Sequence, residues 1–569
     1  MSEFKFVQPA ETIKVELPDG RFIEGPRGRT MEEFLSLLKP ELDSELMAGI
    51  VDGDLRELSY SLERDAVIKP ITMKDPDGFI IYKRSLVFLL AACFEKLFPH
   101  YDLEVKHSIN GGGTLCNVSC PGSFTRKDRE ALEAAMREMV SQNLPITRYE
   151  VPIEEARALF EKRGQTDKLA LLKYRKKDFL RIYEMGDFRD YFFGYMTPST
   201  GSLKYFRLEA AGKDNQFLLR HPANGKSVEI GPLEKYKRMQ SIFEEYHTWQ
   251  KNLNIDMLSS INRAIKEDRI EEVILVSESL QDRQFMKAAE DIAAKNGQIK
   301  VVMIAGPSSS GKTTSSKRLS VELLVHGISP IPIEMDNFFV DREHTPRDEN
   351  GNYDFESVHA MDIPLFQDCM RRLIAGEEVQ LPKFDFVKGQ SVPGQVLKLK
   401  ENQILIVEGI HGLNPLMEEN LPKENIYRIF ISPMTQVNMD RYNRVSVLDL
   451  RLIRRIVRDF RDRGYSAQDT IARWPSVRAG EDKNIFPYQN LADMFINTSL
   501  VYEASALKEL ADIALRMVPF GVPEYNEAKR LLSFLEWVEP LDVSLVPANS
   551  ILAEFIGGSN LKDFMTWRA

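Results

Sequence analysis

Cysteine is scarce in this chain, with four residues in 569. That is too few to staple a protein of this length, so a disulfide scaffold is excluded. Only Cys116 and Cys120 lie close together, and not at the two-residue gap of a zinc knuckle; they read as small buried thiols. The eight histidines are scattered, none paired at ligand spacing, which argues against a histidine metal site. Long apolar runs are missing too. The longest, Ser85 to Phe94, falls far short of the ~20 residues that span a bilayer. The first residues hold no apolar core of signal-peptide length, and a cytoplasmic, reducing setting is expected. Glycine and proline, at 32 and 29, sit near ordinary usage and exclude collagen-like or low-complexity chains. A formal charge of −10 argues against a general nucleic-acid coat but leaves room for a local basic patch.

What is present divides along the chain. At about 150 residues per domain, the length predicts three or four. Residues 1–70 read as a small β-rich module. Ile13, Val15 and Leu17 alternate with polar neighbours, Asp19-Gly20 and Asp52-Gly53 supply turns, and Thr30 with Glu33 forms a capping box. That order suggests a β-grasp-like module. Residues 71–230 form an α+β unit with a buried helix over Ser85–Leu97 and an amphipathic one over Arg126–Gln142. The run Arg175, Lys176, Lys177 reads as a solvated face rather than a nucleic-acid contact. Residues 231–269 are a helical connector. Over 270–523, six short apolar runs are predicted as strands: 271–277, 299–306, 328–336, 403–409, 426–432 and 492–499. Helical stretches between most of them predict an α/β unit, a parallel sheet wrapped by helices. Residues 524–569 are a mixed tail that suggests no chemistry.

The sharpest motif is GPSSSGKTT, which fits G-x-x-x-x-G-K-[ST] between an apolar strand and a helix. Gly306, Pro307, Ser308, Ser309, Ser310, Gly311, Lys312, Thr313 and Thr314 are therefore the candidate ATP-binding loop. Its backbone N–H groups would cradle phosphates at the helix N-terminus. Lys312 would reach the β/γ-phosphates, and the Thr313 hydroxyl would ligate Mg²⁺. Two acids narrow the chemistry. Asp336 closes the strand after the P-loop helix, at the edge where ligands lie, and is the candidate base. Glu408 ends an apolar run of Walker-B character and is the second metal candidate. No guanine-recognition motif of N-K-x-D type accompanies them, which argues against a GTPase.

The third element is a helix carrying Arg451, Arg454, Arg455 and Arg458 on one face and Ile453, Ile456, Val457 and Phe460 on a buried face. Behind a P-loop these arginines are expected to act as a lid over ATP phosphates. His411 and the Trp474-Pro475 to Arg478 stretch are weighed as residues shaping the pocket.

These residues carry a resemblance. From about Lys300 to Tyr502, the segments GPSSSGKTT, MDNFF, LPKFDFV, VEGIHGL, DLRLIRRIVRD and ADMFINTS resemble those of uridine kinases, in the uridine kinase/phosphoribulokinase group. The resemblance implies ATP-dependent phosphorylation of a nucleoside 5′-hydroxyl, uridine or cytidine first. It implies Asp336 as general base, Lys312 and Arg454 at the transferred phosphoryl, Arg458 at the cofactor phosphates, and Thr313 and Glu408 at Mg²⁺. Substrate would meet Asp336, Phe339, His359, Phe384, Phe386 and Arg451. The acceptor pocket departs from the family pattern. Phe339 and Phe384 replace tyrosines, Gly389 a base-binding histidine, and His359 a ribose-binding aspartate. Discrimination among acceptors should differ accordingly.

The front of the chain resembles other proteins. Residues 11–70 are similar to a TGS domain, and 71–225 to the second additional, editing domain of threonyl-tRNA synthetase. FEKLFPHY, PGSFTRKDREALEAAMREMV and GDFRDYFFGYMTPSTG carry the second likeness. Where that family has its editing histidines and cysteine, this chain has Arg84, Phe88, Phe192 and Met196, a set that cannot hold a metal or shuttle a proton. Binding of RNA, a nucleotide or another protomer stays open, and a homo-oligomer is expected. Two alternatives stand beside the nucleoside kinase: a kinase for a sugar or other small alcohol, and a non-catalytic, ATP-responsive RNA-binding or regulatory protein.

Overall fold

The structure is a computed structural model describing residues 10–109, 111–233, 237–348, 351–434 and 437–564, with backbone only for 237–242 and 244. The N-terminal strands β1 (Thr12–Glu16), β2 (Phe22–Pro26), β3 (Leu46–Val51), β4 (Asp54–Glu57) and β5 (Ala66–Thr72) form one sheet in the order β2-β1-β5-β3-β4. β1 and β5 pair in parallel at its centre, and α1 (Met31–Leu35) covers it through Met31, Phe34 and Leu35. The Thr30–Glu33 capping box starts that helix, as the sequence predicts.

The next unit is built on α2 (Pro76–Leu97), buried on most of its circumference. An antiparallel sheet of β6 (Asp102–Ser108), β7 (Gly113–Ser119), β11 (Arg207–Ala210) and β12 (Gln216–Arg220) packs with it. So does a three-stranded sheet of β8 (Thr147–Pro152), β9 (Phe179–Met185) and β10 (Phe188–Asp190). Helices α3 (Arg126–Gln142), α4 (Ile153–Lys162) and α5 (Thr166–Leu172) complete it. Phe88 and Phe192 meet edge-on with centroids 5.2 Å apart, and Met196 is buried, so the editing-like positions form an apolar knot beside Arg84.

Helices α6 (Lys237–Asn252), α7 (Leu258–Lys266) and α8 (Ile270–Ala293) lead into a five-stranded parallel sheet. Its strands are β13 (Val301–Ala305), β14 (Ser329–Glu334), β17 (Gln403–Glu408), β18 (Ile426–Ser432) and β19 (Met494–Asn497), ordered β14-β17-β13-β18-β19. Five of the six predicted strands are present. The run 271–277 is instead the first part of α8: Ile270, Ile274, Ser277, Gln281 and Phe285 are buried at helical spacing while Leu275 stays 65% exposed. The apolar run continues a helical pattern without a break, and Glu271 and Glu272 favour a helix N-terminus.

Around the sheet lie α9 (Lys312–Val325), α10 (Ile363–Ile374), α11 (Pro415–Glu418), α12 (Val447–Asp462), α13 (Ala467–Asn484) and α14 (Glu503–Arg516). A hairpin of β15 (Glu378–Asp385) and β16 (Gln390–Lys398) projects beside them. The expected tail is integral to this core. Helices α15 (Tyr525–Leu535) and α16 (Ala553–Ile556) bury Leu531, Phe534 and Phe555 in it, and the residues flanking them add Trp537, Ile551 and Leu552. The same core takes in Val151, Phe160 and Tyr191 from the middle unit, with the Tyr191 and Trp537 rings 5.1 Å apart. The basic run is a solvated face at Lys176 and Lys177, which are exposed, with Lys177 pairing with Glu536 at 2.8 Å, but Arg175 turns inward and stacks 4.7 Å over Trp537. Among the described residues, no helix is long and apolar enough to cross a membrane.

Candidate active site

Parallel registration sets the site. Ile304 on β13 and Glu334 on β14 both pair with Glu408, the last residue of β17, so three strands end together. The loop Gly306–Gly311 leaves β13 at this edge and enters α9. Gly311 takes φ +83°, and a Cβ there would lie 2.5 Å from Ile551, so the turn and the neighbouring C-terminal segment both require glycine. Ser309 adopts φ 58° without being glycine, local strain of the kind found at ligand-gripping loops.

Lys312 Nζ donates to the carbonyls of Gly306 and Pro307 at 3.1 and 3.2 Å. Thr313 Oγ1 donates to Glu408 Oε1 at 2.8 Å. Asp336 stands two residues past β14 in the turn Met335–Phe338, exposed at its tip. Crowding by protein pushes its carboxyl above the usual range, with Glu334 adding to the rise and Lys312 opposing it. Burial raises Glu408 to about 7, with Asp336 adding and Lys312 opposing. Lys312 itself is lowered by burial, against the pull of Glu408, Asp336, Glu554 and Glu481. One lysine thus stands among four carboxylates at the mouth of a helix N-terminus. Thr313 and Glu408 present two hard oxygens of the kind Mg²⁺ takes.

The arginine helix divides its work differently from the expectation. Arg451 and Arg454 are 1% and 0% exposed, so they lie behind the loop rather than in the cleft. Arg451, expected at the substrate, donates to the Ser308 carbonyl at 2.9 and 3.0 Å and pairs with Glu481. Arg454 donates to the Thr498 carbonyl at 2.9 Å, pairs with Glu503 and touches the Ser309 carbonyl at 3.5 Å. Arg458, expected at the cofactor, is held by Asp459 at 2.9 Å. Arg455 reaches the loop instead, donating to Ser308 Oγ at 2.7 Å. Asp459, buried, anchors Arg455, Arg458 and Arg463 together at 3.4, 2.9 and 3.5 Å, three cations on one acid. Leu450, Leu452, Ile453, Ile456 and Val457 pack the helix into the core, and Arg455, Arg458 and Arg463 are gathered on Asp459. Phe460, expected to be buried, is 37% exposed because the last turn has passed the edge of the core.

On the acceptor side, Phe339 and Phe384 lie 5.7 Å apart, and Phe384 and Phe386 5.1 Å apart, giving one apolar wall beside Asp336. His359 is exposed, and its backbone N–H goes to Ser357 Oγ. Glu356, three residues earlier, packs against Gly480 and interacts electrostatically with Arg455, Glu481 and Lys312. Burial raises it to about 7. His411 is buried and held near 4, a neutral ring. Trp474 stacks 5.4 Å from the Arg451 guanidinium, and Arg478 bonds Glu481 at 2.6 Å, so that stretch supports the loop from behind.

Sequence reasoning missed Glu481, Glu503, Glu356 and the C-terminal Glu554. Glu481 Oε1 accepts the Ser308 N–H at 2.9 Å, and Glu554 accepts from Thr314 Oγ1 at 2.8 Å. Burial pushes the Glu481 carboxyl up, but Arg451 and Arg478 outweigh it and hold it below its usual value. The overlooked signal is the number of arginines on α12: buried guanidinium groups demand carboxylate partners somewhere downstream.

Residues 301–503 match the Phosphoribulokinase / Uridine kinase family model. Residues 13–72 match the TGS domain. The N-terminal region is similar to threonine–tRNA ligases: 34% identical over 200 residues to that of Symbiobacterium thermophilum, and 32% over 197 to the second such ligase of Bacillus subtilis. These alignments take 35% and 34% of this chain and 31% of each relative, so the chain spans about a third of the length of the curated relatives it matches. Among solved structures, D-glycerate 3-kinase of Cryptococcus neoformans is 13% identical over 36% of this chain and 89% of its own, with a TM-score of 0.26. A structure assigned as a fructose transport system kinase from Silicibacter is 21% identical over 35% and 89%, with a TM-score of 0.25. Neither fixes an acceptor.

Proposed function

We propose that this chain transfers the γ-phosphoryl of ATP to the hydroxyl of a small alcohol, a nucleoside 5′-hydroxyl with uridine or cytidine first. The observation that carries the reading is the grouping of Lys312, Asp336 and the Thr313–Glu408 pair at one sheet edge, on a chain segment matching a kinase family. Asp336 accepts the acceptor's proton as the hydroxyl attacks, and a raised pKa suits it to that task. Lys312 leaves the loop carbonyls for the transferring phosphoryl. Arg455, Arg458 and Arg463 bring the excess positive charge that the leaving phosphates need. Arg451 and Arg454 hold the loop carbonyls and so keep its N–H groups aimed inward. Mg²⁺, held by Thr313 and Glu408, would neutralise phosphate charge.

The phenylalanine wall favours a second acceptor class. Phenylalanines at the two tyrosine positions offer no hydroxyl to a base, which supports an acceptor other than a nucleoside, a sugar or another small alcohol. An ADP-release assay with Mg-ATP against nucleosides, sugars and sugar acids separates the two. Turnover with uridine or cytidine, lost by about 10²-fold or more in Asp336→Asn, supports the first reading. Turnover with sugars or sugar acids alone supports the second, and no acceptor-stimulated turnover contradicts both. The tRNA-ligase likeness supports RNA binding by the N-terminal half. Filter binding of tRNA at two salt concentrations checks it, since phosphate contacts weaken steeply with salt.

A further inference from the structure

Away from the P-loop, a cavity of about 200 Å³ opens where the middle unit meets the kinase-like unit. At roughly 30 Å³ per water, it has room for a small organic anion rather than a single ion. Lys83 and Arg84 enter it from α2, Arg444 from the segment before α12, and Asp449 and Arg530 from α12 and α15. Its charge does not balance. Asp449 is taken by Arg530 through two bonds of 2.6 and 2.8 Å, and Arg530 also holds Glu527 at 2.7 Å. Among the described residues, no ion pair involves Lys83, Arg84 or Arg444. Arg84 is held in place by the Tyr195 carbonyl at 2.7 Å and by Gly194 (φ +94°), where a Cβ would lie 2.6 Å from the guanidinium. Burial lowers Lys83 to about 8 and Arg444 and Arg84 to about 10. Asp449 attracts all three but is shared with Arg530, so three partly buried cations have less than one carboxylate among them, which is costly unless an anion answers them.

A second observation is independent of that charge. His221, 5% exposed, lines the same cavity. Its Nδ1 lies 2.7 Å from the Pro222 carbonyl, to which it donates, while Nε2 is buried with no hydrogen-bond partner. A neutral ring so arranged has its acceptor nitrogen free for a hydroxyl. The N-terminus of α12, whose cap is Ser446, also borders the cavity, and its N–H groups favour phosphate.

We propose that this cavity binds a small phosphate ester, its phosphate held by Lys83, Arg84 and Arg444 and a hydroxyl bonded to His221 Nε2. The arrangement stands on the cavity residues alone and does not depend on the kinase reading. Its first residues on α12 lie less than two turns from Arg451 and Arg454, which hold the P-loop.

The test is isothermal titration of the full chain carrying Lys312→Ala, which weakens phosphate binding at the P-loop. The probes are glucose 6-phosphate, adenosine monophosphate and inorganic phosphate. One ester should bind one-to-one, with affinity falling at least tenfold when Arg444→Ala or Lys83→Ala is added. No saturable ester binding, or binding indifferent to those substitutions, overturns the proposal. Inorganic phosphate binding as tightly as either ester overturns the assignment of a hydroxyl-bearing ligand. Should the variants fail to fold, the unsubstituted chain serves. Acetic anhydride labelling, mapped by peptide mass, should modify Lys83 and be suppressed at least fivefold by the ester that binds; equal labelling with and without the esters overturns the proposal.

Discussion

Replacing Arg454 by methionine separates a residue that supports the P-loop from one that touches phosphate. Arg454 and Glu503 are 0% and 1% exposed in side chain and pair directly. Arg454→Met leaves the Glu503 carboxylate without that cation in the interior, a loss of about 3–5 kcal/mol. At about 2 °C per kcal/mol for a unit of this size, the thermal midpoint should fall by about 6–10 °C. Adding Glu503→Leu removes the stranded charge as well. What stays lost are the bonds to the Thr498 and Ser309 carbonyls, at 2.9 and 3.5 Å, together about 1–2 kcal/mol. The double variant should therefore recover most of the midpoint, and phosphoryl transfer with it, to within about tenfold of the unsubstituted chain. Differential scanning fluorimetry and an ADP-release assay read both quantities. If the double variant regained its midpoint but stayed depressed by about 10³-fold or more, as for an arginine acting on the transferring phosphoryl, the positioning role would be refuted.

Glu356→Gln should act through pH. The Glu356 carboxyl is raised to about 7 by burial against about 4.5 unfolded, so the folded chain binds the extra proton. Its stabilising share is full below about pH 4.5 and is lost as pH rises through about 7, at most about 3 kcal/mol. The variant's midpoint should exceed that of the unsubstituted chain at pH 8 and lose that lead at pH 5; a pH-independent difference would contradict the assignment. Trp537→Ala removes the indole between Tyr191 and Arg175. It should cost about 3–5 kcal/mol and raise hydrogen exchange in both 151–191 and 525–555; exchange confined to one of them would show that the core is not shared.

The fold was legible where a local signal matched the final packing. The Thr30–Glu33 box, the Arg126–Gln142 helix and the five strands of the parallel sheet follow from capping chemistry and apolar period. Residues 271–277 misled because a short apolar run carries no period of its own; only its continuation to Ala293 reveals the helix. At the site, the loop, Asp336 and Glu408 were readable because a motif and a strand end place them. Partners that arrive from far along the chain were not. Glu481 and Glu554 come 173 and 240 residues after the loop residues they bond, and nothing local ties them there. Helical spacing grouped Arg451 and Arg454 with Arg455 and Arg458 correctly. It could not say that α13 and α14 would bury two of them and leave the others on the cleft side.

The central claim is that Asp336 and Lys312 move a phosphoryl group onto a small alcohol. Incubating the full chain with [γ-³²P]ATP, Mg²⁺ and the small-molecule fraction of a cell extract tests it without choosing the acceptor. The account predicts label in an organic phosphate ester, at least about 10²-fold less with Asp336→Asn. Label appearing only as inorganic phosphate, or an ester formed equally by both chains, would contradict it.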